Sequence, residues 1–183
     1  FRSIPDGGEY KLSEGGAVVT KLKDSWRGVV ADGSGCGPMM DGTTNYCEIE
    51  IVKNDAGDQD GDYIGAWCFG VCRPEINLND QASKDFDDRD DTWMMAQDND
   101  PTWDFKCDTC EGTGLTIPKR KLNAGDRVGL LLDLANGGTL TMYLDGKPCG
   151  TIAEGLEGPL YLCIGSYIKG KVLKIHSGLA PPQ

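Results

Sequence analysis

Residues 125–150, GDRVGLLLDLANGGTLTMYLDGKPCG, narrow the possible folds more than any other stretch, because two unlike strand patterns and two turns follow one another there. Val128, Leu130, Leu131, Leu132 and Leu134 form a nearly unbroken apolar run. It is too short to span a membrane and is bounded by Gly-Asp and Asn-Gly-Gly, which predicts a strand buried on both faces. Next comes a strand of strict alternation: Leu140, Met142 and Leu144 face one way, Thr139, Thr141 and Tyr143 the other. Asp145-Gly146 then supplies the positive φ angles that a two-residue hairpin turn requires. A hairpin with one apolar face needs a second layer to cover it, so the stretch predicts a sandwich of antiparallel sheets. It carries no catalytic group.

The rest of the chain repeats this rhythm. Strands are predicted over residues 17–22, 28–30, 46–52, 63–72, 127–134, 139–144, 161–164 and 172–175, separated by Gly and Asp clusters, and no segment has the spacing of an amphipathic helix. The expected fold class is all-β, a sandwich with long surface loops. Strand-like sequence at both ends places the termini near each other on the sheets. Residues 1–180 read as one domain with an N-terminal strand extension, and residues 181–183 as the remnant of a linker in a longer polypeptide. Between Pro74 and Arg120 the rhythm is lost, yet Trp93-Met94-Met95 and Trp103-Asp104-Phe105 predict order, since such side chains gain most by packing on the sandwich.

Composition excludes several functions. A net charge of −11 argues against a sequence-independent nucleic-acid binder, and no apolar stretch is long enough for a transmembrane helix. The eight cysteines mostly sit inside apolar strand patterns: Cys47 alternates with Ile49 and Ile51, Cys68 and Cys72 flank Phe69 and Val71, and Cys163 lies between Leu162 and Ile164. There a thiol serves as a small hydrophobe, which points to a reducing cytoplasmic or nuclear compartment.

The constellations that suggest chemistry are each outweighed by plainer readings. Cys107-Asp108-Thr109-Cys110-Glu111-Gly112-Thr113-Gly114 has a zinc-type Cys-x-x-Cys spacing, but a tetrahedral ion needs four ligands and no matching second pair exists. Free thiols are expected there, ahead of a zinc site or a loop disulfide. Residues 54–62 are Asp-rich, yet with Gly61 as the turn glycine the first ligand position of a calcium loop is Ala56 and the twelfth is Trp67. Asp85, Asp87, Asp88, Asp90 and Asp91 read as a solvated loop rather than a calcium site. His176 is the single histidine and falls with Val172 and Lys174 on one strand face, a sheet histidine rather than a base or ligand. No catalytic set, metal or cofactor is expected.

The ordered series Asn45-Tyr46-Cys47-Glu48-Ile49-Glu50-Ile51, Tyr63-Ile64-Gly65-Ala66-Trp67-Cys68-Phe69-Gly70-Val71-Cys72-Arg73, Gly125-Asp126-Arg127-Val128-Gly129 and Gly158-Pro159-Leu160-Tyr161 resembles the successive signatures of the SPRY (B30.2-like) domain family. Cys47, Asp145 and Leu162 depart from that family's usual aromatic, Asn and Pro without breaking a strand or turn. The resemblance implies a bent two-sheet antiparallel β-sandwich of concanavalin-like jelly-roll architecture and a non-enzymatic interaction module, a monomeric domain within a larger chain, that binds a protein or short peptide through loops at one end of the sandwich. Carried onto this sequence, that surface comprises Ser25, Trp26 and Arg27; the loop with Glu75, Asn77 and Asn79; and Tyr167, Ile168 and Lys169. Trp26 reads equally as a core anchor or a surface contact, whereas Tyr167, beside the turn-like Lys169-Gly170-Lys171, reads as surface. The alternatives are a carbohydrate-binding lectin-like sandwich and, less favoured, a glycoside hydrolase of similar architecture, since fold alone does not assign function.

Overall fold

The computed structural model describes residues 8–31, 39–40, 42–54, 67–79, 90–97, 105–106 and 116–182. They form β1 (Tyr10–Ser13), β2 (Val18–Lys21), β3 (Arg27–Ala31), β4 (Thr44–Lys53), β5 (Trp67–Cys72), β6 (Thr92–Gln97), β7 (Phe105–Lys106), β8 (Arg127–Asp133), β9 (Thr139–Leu144), β10 (Lys147–Ala153), β11 (Tyr161–Ser166) and β12 (Val172–Ser177). A seven-stranded sheet runs β1-β2-β12-β4-β8-β9-β10 and a five-stranded sheet β3-β11-β5-β6-β7, with every pairing antiparallel. Early and late strands meet, as β2 pairs with β12. Among the described residues the only helical element is a single 3₁₀ turn, Glu14–Gly16.

One continuous core lies between the sheets. Ile49, Ile51, Val128, Leu130, Leu132, Leu140, Met142 and Leu144 come from the seven-stranded sheet, and Val29, Trp67, Phe69, Val71, Met95, Leu162 and Ile164 from the other. The β9–β10 hairpin turns at Asp145 and Gly146 with φ of 51° and 75°, the left-handed pair that its two-residue turn demands. At β8 the structure departs from the sequence reading. Val128, Leu130 and Leu132 are buried in the core, but Leu131 on the opposite face is only half-buried, so one face alone is fully covered. The outer face is closed locally at Gly129, where Tyr46 crosses the strand: a Cβ on Gly129 would lie 2.3 Å from the Tyr46 hydroxyl oxygen.

The segment after Pro74 is more regular than its sequence suggests. Thr92–Gln97 forms β6, pairing along all of β5, and buries Met94 and Met95 on opposite faces. Because both faces are covered, the apolar residues do not alternate and the strand pattern is absent. β1 and β10 also escape the sequence reading, and β10 has an irregular register against β9 between Pro148 and Gly150.

On the outer face of the five-stranded sheet, Cys68, Cys72, Cys163, Val30 and Met94 form a second apolar cluster, with Cys163 Sγ 3.2 Å from Met94 Sδ. They gather over Gly70, whose register partners are Cys163 and Met94 and whose missing side chain leaves the room: a Cβ there would lie 1.9 Å from the Trp93 carbonyl oxygen. Ile76 and Leu78 pack on the cluster from the loop that follows β5. Among the described residues Cys72, Cys149 and Cys163 are free thiols. Burial, with the neighbouring Cys72 thiol, pushes Cys163 well above the usual thiol range, so it stays neutral. Cys107, Cys110, the acidic residues 85–89 and most of the 54–62 turn lie outside the described residues.

Candidate functional site: an aromatic pair over a buried polar floor

Register decides which of the expected site residues can act together. Ser166 at the end of β11 pairs with Arg27 at the start of β3 and with Trp67 at the start of β5, so residues 25–27 and 167–169 leave the sheet side by side. Tyr161, at the other end of β11, pairs with Cys72, and the loop bearing Glu75, Asn77 and Asn79 leaves from that opposite pole. The single end surface expected from the sequence is therefore not assembled. A six-residue strand separates its two parts. Glu75, Asn77 and Asn79 are exposed because the intervening Ile76 and Leu78 turn down onto the cysteine cluster, and Asn79 N–H donates to Asn77 Oδ1 at 3.0 Å within that loop.

At the first pole Trp26 and Tyr167 are brought together, ring centroids 5.4 Å apart and tilted by 45°. Both are half-buried, so Trp26 is neither a core anchor nor a fully exposed side chain. Short polar residues fix the pair. Ser25 N–H donates to the Tyr167 carbonyl at 2.9 Å, and Lys169 N–H donates to Asp24 Oδ1 at 2.8 Å, tying the two loops across the chain. Ile168 is buried and Lys169 exposed.

Beneath the pair the interior is polar. Glu9, Lys21, Gln97, Ser166 and Lys171 are all buried there, with Lys21, Gln97 and Ser166 facing inward from adjacent strand ends. Lys21 Nζ donates to Ser25 Oγ at 3.0 Å and sits 4.2 Å from the Tyr10 ring centroid. The Tyr10 hydroxyl donates to the Arg27 carbonyl, and the Arg27 guanidinium lies 3.8 Å from Glu9 Oε1. Lys171 Nζ stands 3.9 Å from the Trp67 ring centroid. Desolvation pulls Lys21 down to about 8, against the opposing pull of Glu9, and pulls Lys171 well below the usual lysine range with help from Lys121. Burial likewise raises Tyr10 far above the usual phenol range. Among the described residues, Glu9 Oε2, Trp67 Nε1, Gln97 Oε1 and Ser166 Oγ are buried with no hydrogen-bond partner.

This floor was missed in the sequence, although a signal existed. Lys21 continues the inward alternation of Val19, and Lys171 that of Leu173 and Ile175, so two lysines stand where the strand pattern calls for apolar residues. His176 lies on the outer face of β12, 2.7 Å from Glu50 Oε2, which also faces Arg127 at 3.7 Å. Among the described residues there is no group of three or more His, Cys, Asp or Glu side chains able to hold a metal, and no helix is long and apolar enough to cross a membrane.

The family model for the SPRY domain matches residues 53–180, well over half of the chain. The chain belongs to the SPRY domain family. Solved structures agree in fold along its whole length. The SPRY domain of human HERC1 superposes with a TM-score of 0.59 at 16% identity, covering 93% of this chain and 94% of that one. A human SPRY domain gives 0.65 at 17%, covering 94% and 97%. The Drosophila melanogaster neuralized NHR1 domain gives 0.54 at 13%, covering 96% of each. No curated protein matches the chain in sequence. SPRY domains are protein-interaction modules and are generally non-catalytic.

Proposed function

We propose that this SPRY domain is a non-enzymatic module that recognises a protein or short peptide through the pole formed by residues 24–27 and 167–169, as the targeting part of a larger protein. The observation that carries the reading is the Trp26–Tyr167 pair: two half-buried aromatic rings from distant parts of the chain, held together by loop-to-loop hydrogen bonds. Aromatic side chains that desolvate a large area while keeping a polar handle dominate binding energy at protein interfaces. Preorganisation helps, since the loops are ordered before a partner arrives. The exposed Glu75, Asn77 and Asn79, at the opposite pole, have no part in this surface.

A peptide array probed with the wild type, Trp26→Ala and Tyr167→Ala tests the assignment. Peptides that bind the wild type should be lost from both variants, whose thermal unfolding stays close to the wild type. Retention by both variants would sink the assignment. A glycan array with and without calcium separates the lectin-like alternative: calcium-dependent glycan binding with no peptide binding would replace the proposal.

A further inference from the structure

Trp26 stands at the tip of a three-residue turn. Arg27 N–H donates to the Ser25 carbonyl at 3.0 Å, the bond that closes a γ-turn, and β3 begins at once. The turn lies on the short segment that crosses from β2 in the seven-stranded sheet to β3 in the five-stranded sheet. Ser25 is bonded to both sides of that crossing. Its hydroxyl oxygen accepts from Nζ of Lys21, the last residue of β2, at 3.0 Å, and its N–H donates to the carbonyl of Tyr167, just past β11, at 2.9 Å. The N–H, the carbonyl and the hydroxyl oxygen of Ser25 are thus all engaged within the fold. Arg27, on the far side of Trp26, turns its guanidinium toward Glu9, 3.8 Å away.

The donor beneath Ser25 is itself held in place. Lys21 N–H donates to the Lys171 carbonyl at 2.9 Å, the Lys21 carbonyl accepts from Gly170 N–H at 2.8 Å, and the buried ammonium lies 4.2 Å from the Tyr10 ring centroid. Because Lys21 titrates at about 8, it is still mostly protonated at neutral pH, and its bond to Ser25 is charge-assisted, stronger than one between neutral groups.

We propose that Ser25, held by Lys21, is the positioning residue of the recognition pole: it touches no partner, and it sets the Trp26 ring against Tyr167. The sequence groups Ser25, Trp26 and Arg27 as contacts, but their bonds divide them. Ser25 and Arg27 spend their polar groups inward, and the two rings are left to meet a partner. A ring fixed before binding loses less freedom on binding, so the benefit of Ser25 is preorganisation. This role rests on the reading of the pole as a protein-binding surface, yet the ring geometry that it predicts is measured without a partner.

The test is the nuclear Overhauser contact between the Trp26 and Tyr167 rings in the free chain, read by NMR in the wild type, Ser25→Ala, Ser25→Thr, Lys21→Met and the Ser25→Ala/Lys21→Met double variant. The contact should fall about threefold in Ser25→Ala and in Lys21→Met, while Ser25→Thr, which keeps the hydroxyl, should retain it. The double variant should lose little more than either single one, because both changes break the same bond. On a peptide array, sequences lost by Trp26→Ala should bind Ser25→Ala about tenfold more weakly than the wild type. An unchanged ring contact in Ser25→Ala, equal losses in Ser25→Thr and Ser25→Ala, or fully additive losses in the double variant would overturn the proposal. Array peptides retained by Trp26→Ala would instead bring down the reading of the pole, whatever the ring contact shows.

Discussion

The two poles of the sandwich are finished in opposite ways. At one, the core ends in buried polar groups, Glu9, Lys21, Gln97, Ser166 and Lys171, roofed by Trp26 and Tyr167. At the other it ends in the buried Val71, Leu130, Leu140 and Leu162 beside an exposed edge of Thr44, Asn45 and Ser177. The first pole gives up the apolar packing of the middle at an electrostatic cost, whereas the second carries that packing to its edge. The contrast teaches where to look for recognition on a sandwich: at the places where the rule that organises the middle is given up, and by the kind of cost accepted there.

The largest effect should come from the residue that joins the polar floor to the core. Trp67 is fully buried, stacked on Phe69 at 6.0 Å and beneath Lys171, so Trp67→Ala should lower unfolding stability by about 4 kcal/mol in chemical denaturation. A loss near 1 kcal/mol would mean that the polar pole is loosely built. The electrostatic cost can be read from pH. Lys21 titrates in the folded protein at about 8, below its ordinary 10.5, so between these values the unfolded chain binds the extra proton and stability rises with pH. Relative to Lys21→Met, which cannot titrate, the wild type should therefore gain about 2–3 kcal/mol from pH 8 to 10.5, with nothing gained below pH 8. A stability difference independent of pH would show that the floor imposes no such cost.

Smaller effects separate the poles as binding surfaces. Trp26→Ala or Tyr167→Ala should weaken a bound peptide by about 2 kcal/mol, close to thirtyfold, in fluorescence titration. Glu75→Ala, Asn77→Ala and Asn79→Ala should leave that affinity within about twofold, because they stand at the other pole. The reverse ranking would exchange the roles of the two ends.

Much of this was legible in the chain. The hairpin at Asp145-Gly146, the inward sets of β4, β8 and β9, the burial of the strand cysteines and membership of the SPRY family follow from period-2 patterning, turn chemistry and ordered signatures. Trp26 and Tyr167 were singled out as residues but not as a pair, because no spacing in sequence reveals that β3 and β11 are neighbours. β6 was not visible, since Thr92–Gln97 is covered on both faces and so lacks alternation.

What the sequence determined by itself is therefore local. It set which residues extend, where the chain turns, and which side of each strand is apolar, because those properties depend on neighbours two to four positions away. What only the tertiary structure decided is which strand ends meet. The register of β11 against β3 and β5 puts residues 25–27 beside residues 167–169 and sends Glu75, Asn77 and Asn79 to the far pole. It also turns Lys21 and Lys171 from odd letters in apolar patterns into the floor beneath an aromatic pair. Inter-strand register is a cooperative property of the whole sandwich, set by the joint burial of all its faces, and no single segment encodes it.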